Sequence, residues 1–177
     1  MKDNIFIKKC TEINDEEFKC VFNKLNDTDK IKVLKDKRKI TGYYLLDKYL
    51  EKFNSKTIND IYYSENGKPL IGGIYFSIAN KDDITVLAVS KHRIGVDIEK
   101  IKEYDKTVLK YFFKNEEIKK IKTNEDFFKY YTLKEAYVKM MDDRLIKIHD
   151  ANYLDYNYGT IVKGEYVISF VEDADGK

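Results

Sequence analysis

Between residues 74 and 99, three short apolar segments follow one another almost without interruption, at 74–79, 84–90 and 94–99. The joins between them, 80–83 and 91–93, are four and three residues long. A parallel crossover needs roughly a dozen residues or more, so segments joined this closely can pair with their neighbours only antiparallel. The spacing therefore predicts an antiparallel meander at the centre of the chain. Residues 4–9 predict another short strand, and 15–25 a helical stretch. Ile31, Leu34, Ile40, Tyr44, Leu45 and Tyr49 recur near helical spacing and predict one long amphipathic helix over about 28–53. Asp27, Thr28 and Asp29 offer capping groups at its start. Residues 61–63 are strand-like and run into a loop at 65–69, where Gly67 and Pro69 mark a turn; Gly72 and Gly73 end it. A helical zone over about 105–141 has breaks near Lys114 and at Thr123 and Asn124. The tail, 146–172, is β-rich with a hairpin turn near 156–159. Helices around a run of antiparallel strands give the α+β class, as one compact domain over 1–177.

Composition narrows what such a domain can do. Of the 177 residues, 43% are hydrophobic and 36% charged, with a single proline, which excludes disordered and collagen-like chains. The apolar runs are far too short to span a membrane. The first residues lack the apolar stretch of a secretory signal, so a cytoplasmic protein is expected. Cys10 and Cys20 have no metal-type spacing and are expected as reduced, buried small hydrophobes. With His92 and His149 the only histidines, any divalent ion must be held by carboxylates, which favours Mg²⁺, Mn²⁺ or Ca²⁺. A net charge of +2, from 33 basic and 31 acidic residues, gives no field for nucleic acid. Residues 30–39 carry six basic side chains and one acidic one; a solvated helix face and an anion site both fit that stretch. Most tyrosines, Tyr43, Tyr44, Tyr62 and Tyr63 among them, read as core or half-buried packing.

Two segments carry candidate chemistry. Asp97 and Glu99 stand two apart in a strand, so their side chains share a face while Val96 and Ile98 point the other way, into the core. Two carboxylates so placed can chelate a hard cation, but an alternating strand with one wet face gives the same pattern. Residues 127–139 read as one helix, with Phe127, Phe128, Tyr131 and Val138 among its core candidates. Glu135 and Lys139, four apart, share a helix face; they are either an ordinary ion pair or a metal ligand and a phosphate partner.

The joint order of three segments adds to this. Gly95-Val96-Asp97-Ile98-Glu99, Phe112-Phe113-Lys114-Asn115-Glu116-Glu117 and Tyr131-Thr132-Leu133-Lys134-Glu135-Ala136-Tyr137-Val138-Lys139 together resemble the signature of 4′-phosphopantetheinyl transferases. Gly67-Lys68-Pro69 looks like the family's Gly-Lys-Pro loop, and Arg38, ahead of Gly42, like its N-terminal arginine helix. The resemblance covers about 30–148 and is nearer the surfactin-synthetase-activating type, shortened at the C-terminus. It implies a pseudo-twofold pair of small α/β halves, about 1–90 and 91–177. It also implies transfer of phosphopantetheine from coenzyme A to a serine of an acyl or peptidyl carrier protein, with release of 3′,5′-ADP, by a monomer.

By that resemblance Asp97, Glu99 and Glu135 would hold Mg²⁺, with Mn²⁺ as the alternative. Glu135, or Glu117 through a water, would be the base. Lys134 and Lys139 would neutralise the pyrophosphate, and Lys68 would contact phosphate or the adenine side. Arg38, with Lys30 or Lys32, would meet the 3′-phosphate. Where the family carries Phe-Asn-Ile-Ser-His-Ser, this chain has Phe76-Ser77-Ile78-Ala79-Asn80-Lys81. Asn80 donates a hydrogen bond but carries no charge; Lys81 compensates only if it reaches inward. Weaker coenzyme A binding, or an altered preference for its 3′-phosphate, is expected. The alternative reading is a non-catalytic relative that binds coenzyme A or a carrier protein without transfer.

Overall fold

A computed structural model describes residues 4–52, 56–142, 147–174 and 176. The first three residues, residue 53 at the end of the predicted long helix and residue 146 at the start of the predicted β-rich tail lie outside the described residues. Two three-stranded antiparallel sheets form the framework. The first contains β1 (Ile5–Lys9), β4 (Tyr75–Lys81) and β5 (Ile84–Ser90) in the order β1-β5-β4; the second contains β6 (Ile94–Lys100), β7 (Asn157–Lys163) and β8 (Tyr166–Glu172) in the order β6-β8-β7. A two-stranded ribbon, β2 (Tyr62–Tyr63) with β3 (Pro69–Leu70), stands beside them. The α+β class therefore holds.

The meander does not. β4 and β5 form the expected hairpin, but β6 leaves β5 and pairs with β8. Alternation explains why. On β5, Leu87 and Val89 join the core under the N-terminal helices, while Val86 and Ala88 join a second core with Val96, Ile98, Ile168 and Phe170. Both faces of β5 are thus apolar, as they must be in a strand sandwiched between two layers. Val96 and Ile98 are fully buried there, as their alternation predicts. The layers run helix, sheet, sheet, helix.

The outer layers are α1 (Asp15–Lys24), α2 (Asp27–Lys35) and α3 (Lys39–Leu50) on the first sheet, and α4 (Leu109–Phe112), α5 (Asn115–Ile118) and α6 (Asn124–Met141) on the second. The single helix expected over 28–53 is two. Asp36 adopts an extended conformation, and its carboxylate accepts from the Arg38 backbone N–H at 3.2 Å and from Arg38 Nε at 2.9 Å. Such local side-chain bonding competes with helix propagation. Asn26, one residue before the expected capping run, is the cap, accepting from the Asp29 N–H. The break turns Ile31 and Leu34 outward, 53% and 66% exposed, so these two are not core positions.

Three further expectations need correction. Gly159 is not in a turn but inside β7, opposite Phe170, whose ring lies 2.7 Å from where a Cβ would be; the hairpin turns at Gly164, whose φ is +59°. Cys20 is exposed and Cys10 half-buried. Tyr62 is exposed, whereas Tyr43 is buried. Among the described residues no helix is long and apolar enough to cross a membrane.

Candidate active site

The site is built where β6 meets α6. Thr123 caps α6 by accepting from the Asp126 N–H, Asp126 reciprocates to the Thr123 N–H, and the helix runs 18 residues before Asp142, in the left-handed region, ends it. The face of β6 that looks at this helix carries Gly95, Asp97 and Glu99. Gly95 makes the approach possible: a Cβ there would lie 1.9 Å from the Ala136 carbonyl oxygen and 2.6 Å from the Met140 nitrogen. The helix backbone rests directly on the strand, and one pleat further on Asp97 meets the end of Lys139. A glycine inside a strand signals close backbone approach, and that signal was legible in the sequence. Thr132 of α6 extends the contact to the next strand, β8, its hydroxyl 2.6 Å from that of Ser169.

Asp97 is buried, only 7% exposed; one oxygen, Oδ1, accepts from Lys139 Nζ at 2.7 Å, while Oδ2 has no partner. Burial raises its pKa to about 6; Lys139 works against the rise, and the negative charges of Glu135 and Glu99 add to it. The charges of Glu135 and Glu99 thus both act on the buried carboxylate that carries the orphaned oxygen. Glu135 accepts from the Tyr131 hydroxyl at 3.1 Å, a partnership that the i,i+4 spacing allowed and that sequence reasoning missed. Burial first, then Glu135, drives the Tyr131 pKa upward, so the phenol remains a donor. Glu99 is held by Lys81 Nζ at 2.5 Å, so Lys81 does reach inward. Among the described residues no three His, Cys, Asp or Glu side chains lie close enough to hold a metal ion. Glu99 leans to Lys81 and Glu135 to Tyr131, which accounts for the open arrangement. An unpartnered buried carboxylate oxygen whose charged neighbours, Glu99 and Glu135, are also oxygen donors nevertheless suits a hard divalent cation.

Lys68 belongs to the same region. Its Nζ donates to the carbonyls of Lys139 at 2.6 Å and Met140 at 3.3 Å, a cation at the C-terminal end of α6. Burial lowers its pKa to about 8. A cavity of about 280 Å³ opens between its loop and α6, with Pro69, Phe76, Ile78 and Val138 as apolar wall and Lys68 and Lys139 as cations.

The other expected residues sit apart from this cluster. Lys134 is wholly buried, its Nζ 2.9 Å from Glu117 Oε2 and 2.9 Å from the His149 carbonyl oxygen. Burial lowers its pKa and Glu117 raises it again. Glu117 also accepts from the Lys114 N–H at 2.7 Å. This pair anchors α5 to α6, on the side of the helix away from Asp97. Arg38 is exposed, clamped by Asp36, and reaches the Asp82 carbonyl at 3.5 Å beside the β4–β5 turn. Asn80, exposed, accepts from the Thr85 hydroxyl at 2.6 Å across the same hairpin. Lys32 is held by Asp29 and stacks over the Tyr63 ring at 3.2 Å, and Lys30 lies 3.9 Å from Asp27.

Comparison with known proteins places this geometry. Residues 93–161 match the sequence model of the 4′-phosphopantetheinyl transferase superfamily, a span that holds Gly95, Asp97, Glu99, Glu117, Glu135 and Lys139. The chain is 30% identical over 129 residues to the 4′-phosphopantetheinyl transferase gsp of Aneurinibacillus migulanus, covering 68% of this chain and 54% of that protein. It is 29% identical over 103 residues to the 4′-phosphopantetheinyl transferase HetI of Nostoc sp. (strain PCC 7120 / SAG 25.82 / UTEX 2576), covering 50% and 44%. The chain spans about half the length of these curated relatives. With the motif order and the strand–helix contact that gives it a physical reason, these matches show that the chain belongs to the 4′-phosphopantetheinyl transferase superfamily.

Proposed function

We propose that this protein transfers the 4′-phosphopantetheine group of coenzyme A to a serine of an acyl or peptidyl carrier protein, releasing 3′,5′-ADP. The observation that carries the reading is the buried Asp97, with one oxygen on Lys139, the other unpartnered, and Glu135 and Glu99 close enough to raise its pKa. Asp97, Glu99 and Glu135 would hold Mg²⁺ or Mn²⁺, which when bound offsets the negative charge that builds on the pyrophosphate oxygens. Lys139 adds a cation on the same side, and Lys68 a second at the mouth of the cavity. A flat apolar group such as adenine suits the wall of Pro69, Phe76, Ile78 and Val138.

In the transfer the serine oxygen bonds to the β-phosphorus, the bridging P–O bond to the adenylate side breaks, and the serine proton passes to a base. Glu135 is the better candidate, because it neighbours Asp97 while Glu117 is spent on Lys134 and the α5 cap. Lys134 accordingly acts as a buried support for α6. Arg38 and Asn80 flank the same β4–β5 turn, each already engaged, by Asp36 and by Thr85, so neither is set to read the 3′-phosphate. The two sheet-and-helix halves, about 1–90 and 91–177, read as pseudo-duplicated, in a cytoplasmic monomer.

Incubation with coenzyme A, Mg²⁺ and a panel of apo carrier proteins, followed by mass spectrometry, tests this. One added phosphopantetheine, absent with Asp97→Ala and with Glu135→Ala, is the expected result. Coenzyme A binding without transfer to any carrier class would instead favour the non-catalytic relative.

A further inference from the structure

Two lysines occupy this carboxylate cluster, and they are not equivalent. Lys139 projects from α6 and pairs with Asp97, on the helix that also carries Glu135. Lys81 comes from the other sheet. It ends β4 next to the hairpin turn, and its ammonium crosses to Glu99 on β6 at 2.5 Å, with both side chains less than a third exposed. Nothing else on the first sheet sends a charge into the cluster among the described ion pairs. Glu99 is thereby held by the first sheet, while Oδ2 of Asp97 stays unpartnered. Glu135 is meanwhile held by Tyr131, a neutral donor.

We infer that Lys81 is a tethered counter-ion that competes with the divalent cation for Glu99, and so sets how tightly this chain binds its metal. The inference rests on the reading that Asp97, Glu99 and Glu135 are the metal's ligands. The physical reason is charge exchange at one carboxylate. A cation that recruits Glu99 must first part it from an ammonium already in charge-assisted hydrogen-bond contact. A partly exposed pair of this kind costs little to separate, yet the ammonium left nearby also repels the incoming ion. Both effects act in the same direction. Lys81 is thus a positioning residue for Glu99.

The test is the affinity of the metal-free protein for Mn²⁺ alone, by electron paramagnetic resonance and calorimetry, with no coenzyme A or carrier present. Lys81→Met and Lys81→Gln should each bind Mn²⁺ about two- to fivefold more tightly, the order expected from losing one partly exposed ion pair. Lys81→Arg should restore the wild-type affinity. Lys100→Met removes an equal charge from the same strand as Glu99, but from a pair with the exposed Glu165, and should change affinity less than twofold. An unchanged or weaker Mn²⁺ affinity in both Lys81 variants, with thermal melts showing them folded, overturns the inference. So does an equal gain in Lys100→Met, which would make the effect one of net charge.

The two readings fail differently. If Asp97→Asn abolishes Mn²⁺ binding while the Lys81 variants behave as wild type, only the role of Lys81 is lost. If Asp97→Asn leaves Mn²⁺ binding intact, or neither wild type nor Lys81→Met binds the ion, the metal assignment goes with it.

Discussion

Replacing Gly95 by alanine tests the contact on which the site depends. The added Cβ would sit 1.9 Å from the Ala136 carbonyl oxygen and 2.9 Å from its carbonyl carbon, and both are helix backbone that no rotamer change can move aside. To restore an ordinary contact of 3.4 Å, α6 must lift from β6 by about 1.5 Å. Overpacking of a core costs about 1–3 kcal/mol, occasionally more, and a backbone collision belongs at the upper end. The alanine also restricts the unfolded chain, a gain of only ~0.4–1 kcal/mol. A net loss of about 2–3 kcal/mol is therefore expected, read from urea unfolding monitored by circular dichroism. The same displacement carries Glu135 and Lys139 away from Asp97. Since a misplacement of about 1 Å can cost roughly a hundredfold in rate, transfer should fall by at least that much in the protein that remains folded. A Gly95→Ala protein within about 0.5 kcal/mol of wild type and still active would mean that α6 does not rest on this glycine.

Three other outcomes follow from particular groups. Asp97 has a folded pKa near 6, above that of an unfolded aspartate, so the native state holds a proton that the unfolded state has released; metal-free protein should lose stability as pH rises from about 4 to 6. The drop is on the order of 3 kcal/mol, and the difference curve against Asp97→Asn isolates it; a difference curve flat through that window would contradict the burial argument. Glu117→Gln strands a fully buried ammonium and should cost about 3 kcal/mol, whereas Lys134→Met leaves only a partly exposed carboxylate and should cost less; the reverse order in unfolding experiments would refute the pairing. Folded Glu117→Gln should keep its Mn²⁺ affinity. Finally, with Asn80 engaged by Thr85 and Arg38 by Asp36, coenzyme A and dephospho-coenzyme A should bind with similar dissociation constants in calorimetry; strong discrimination would show that the 3′-phosphate is read after all.

Much of this was legible in the chain. The alternation of Val96 and Ile98 against Asp97 and Glu99 assigned both faces of β6 correctly, because period two leaves no freedom once one face is apolar. Thr123 marked the start of α6 because its hydroxyl and Asp126 form a local capping box. Partner choice was not legible. Nothing local says that 94–99 abandons its neighbour for β8, since a short join permits a hairpin without requiring one. The break after Lys35 was hidden for a similar reason: helical spacing continues through Asp36, and only its bonds to Arg38 reveal the stop. Lys134 and Lys139 look alike as neighbours of Glu135, yet five positions along a helix place them on different faces, one buried against Glu117 and the other on Asp97.

Ser77 lies in β4 at the seam between the sheets, and its buried hydroxyl accepts from the Val96 N–H at 3.1 Å. A side chain therefore does there what a neighbouring strand's carbonyl would do in a continuous ladder. With the Lys81–Glu99 pair, that stitch ties the strand bearing Lys81 to the strand bearing Asp97 and Glu99, so the Val96 amide proton is a built-in gauge of how firmly the halves are closed, and its exchange with deuterium should slow when ligands draw them together.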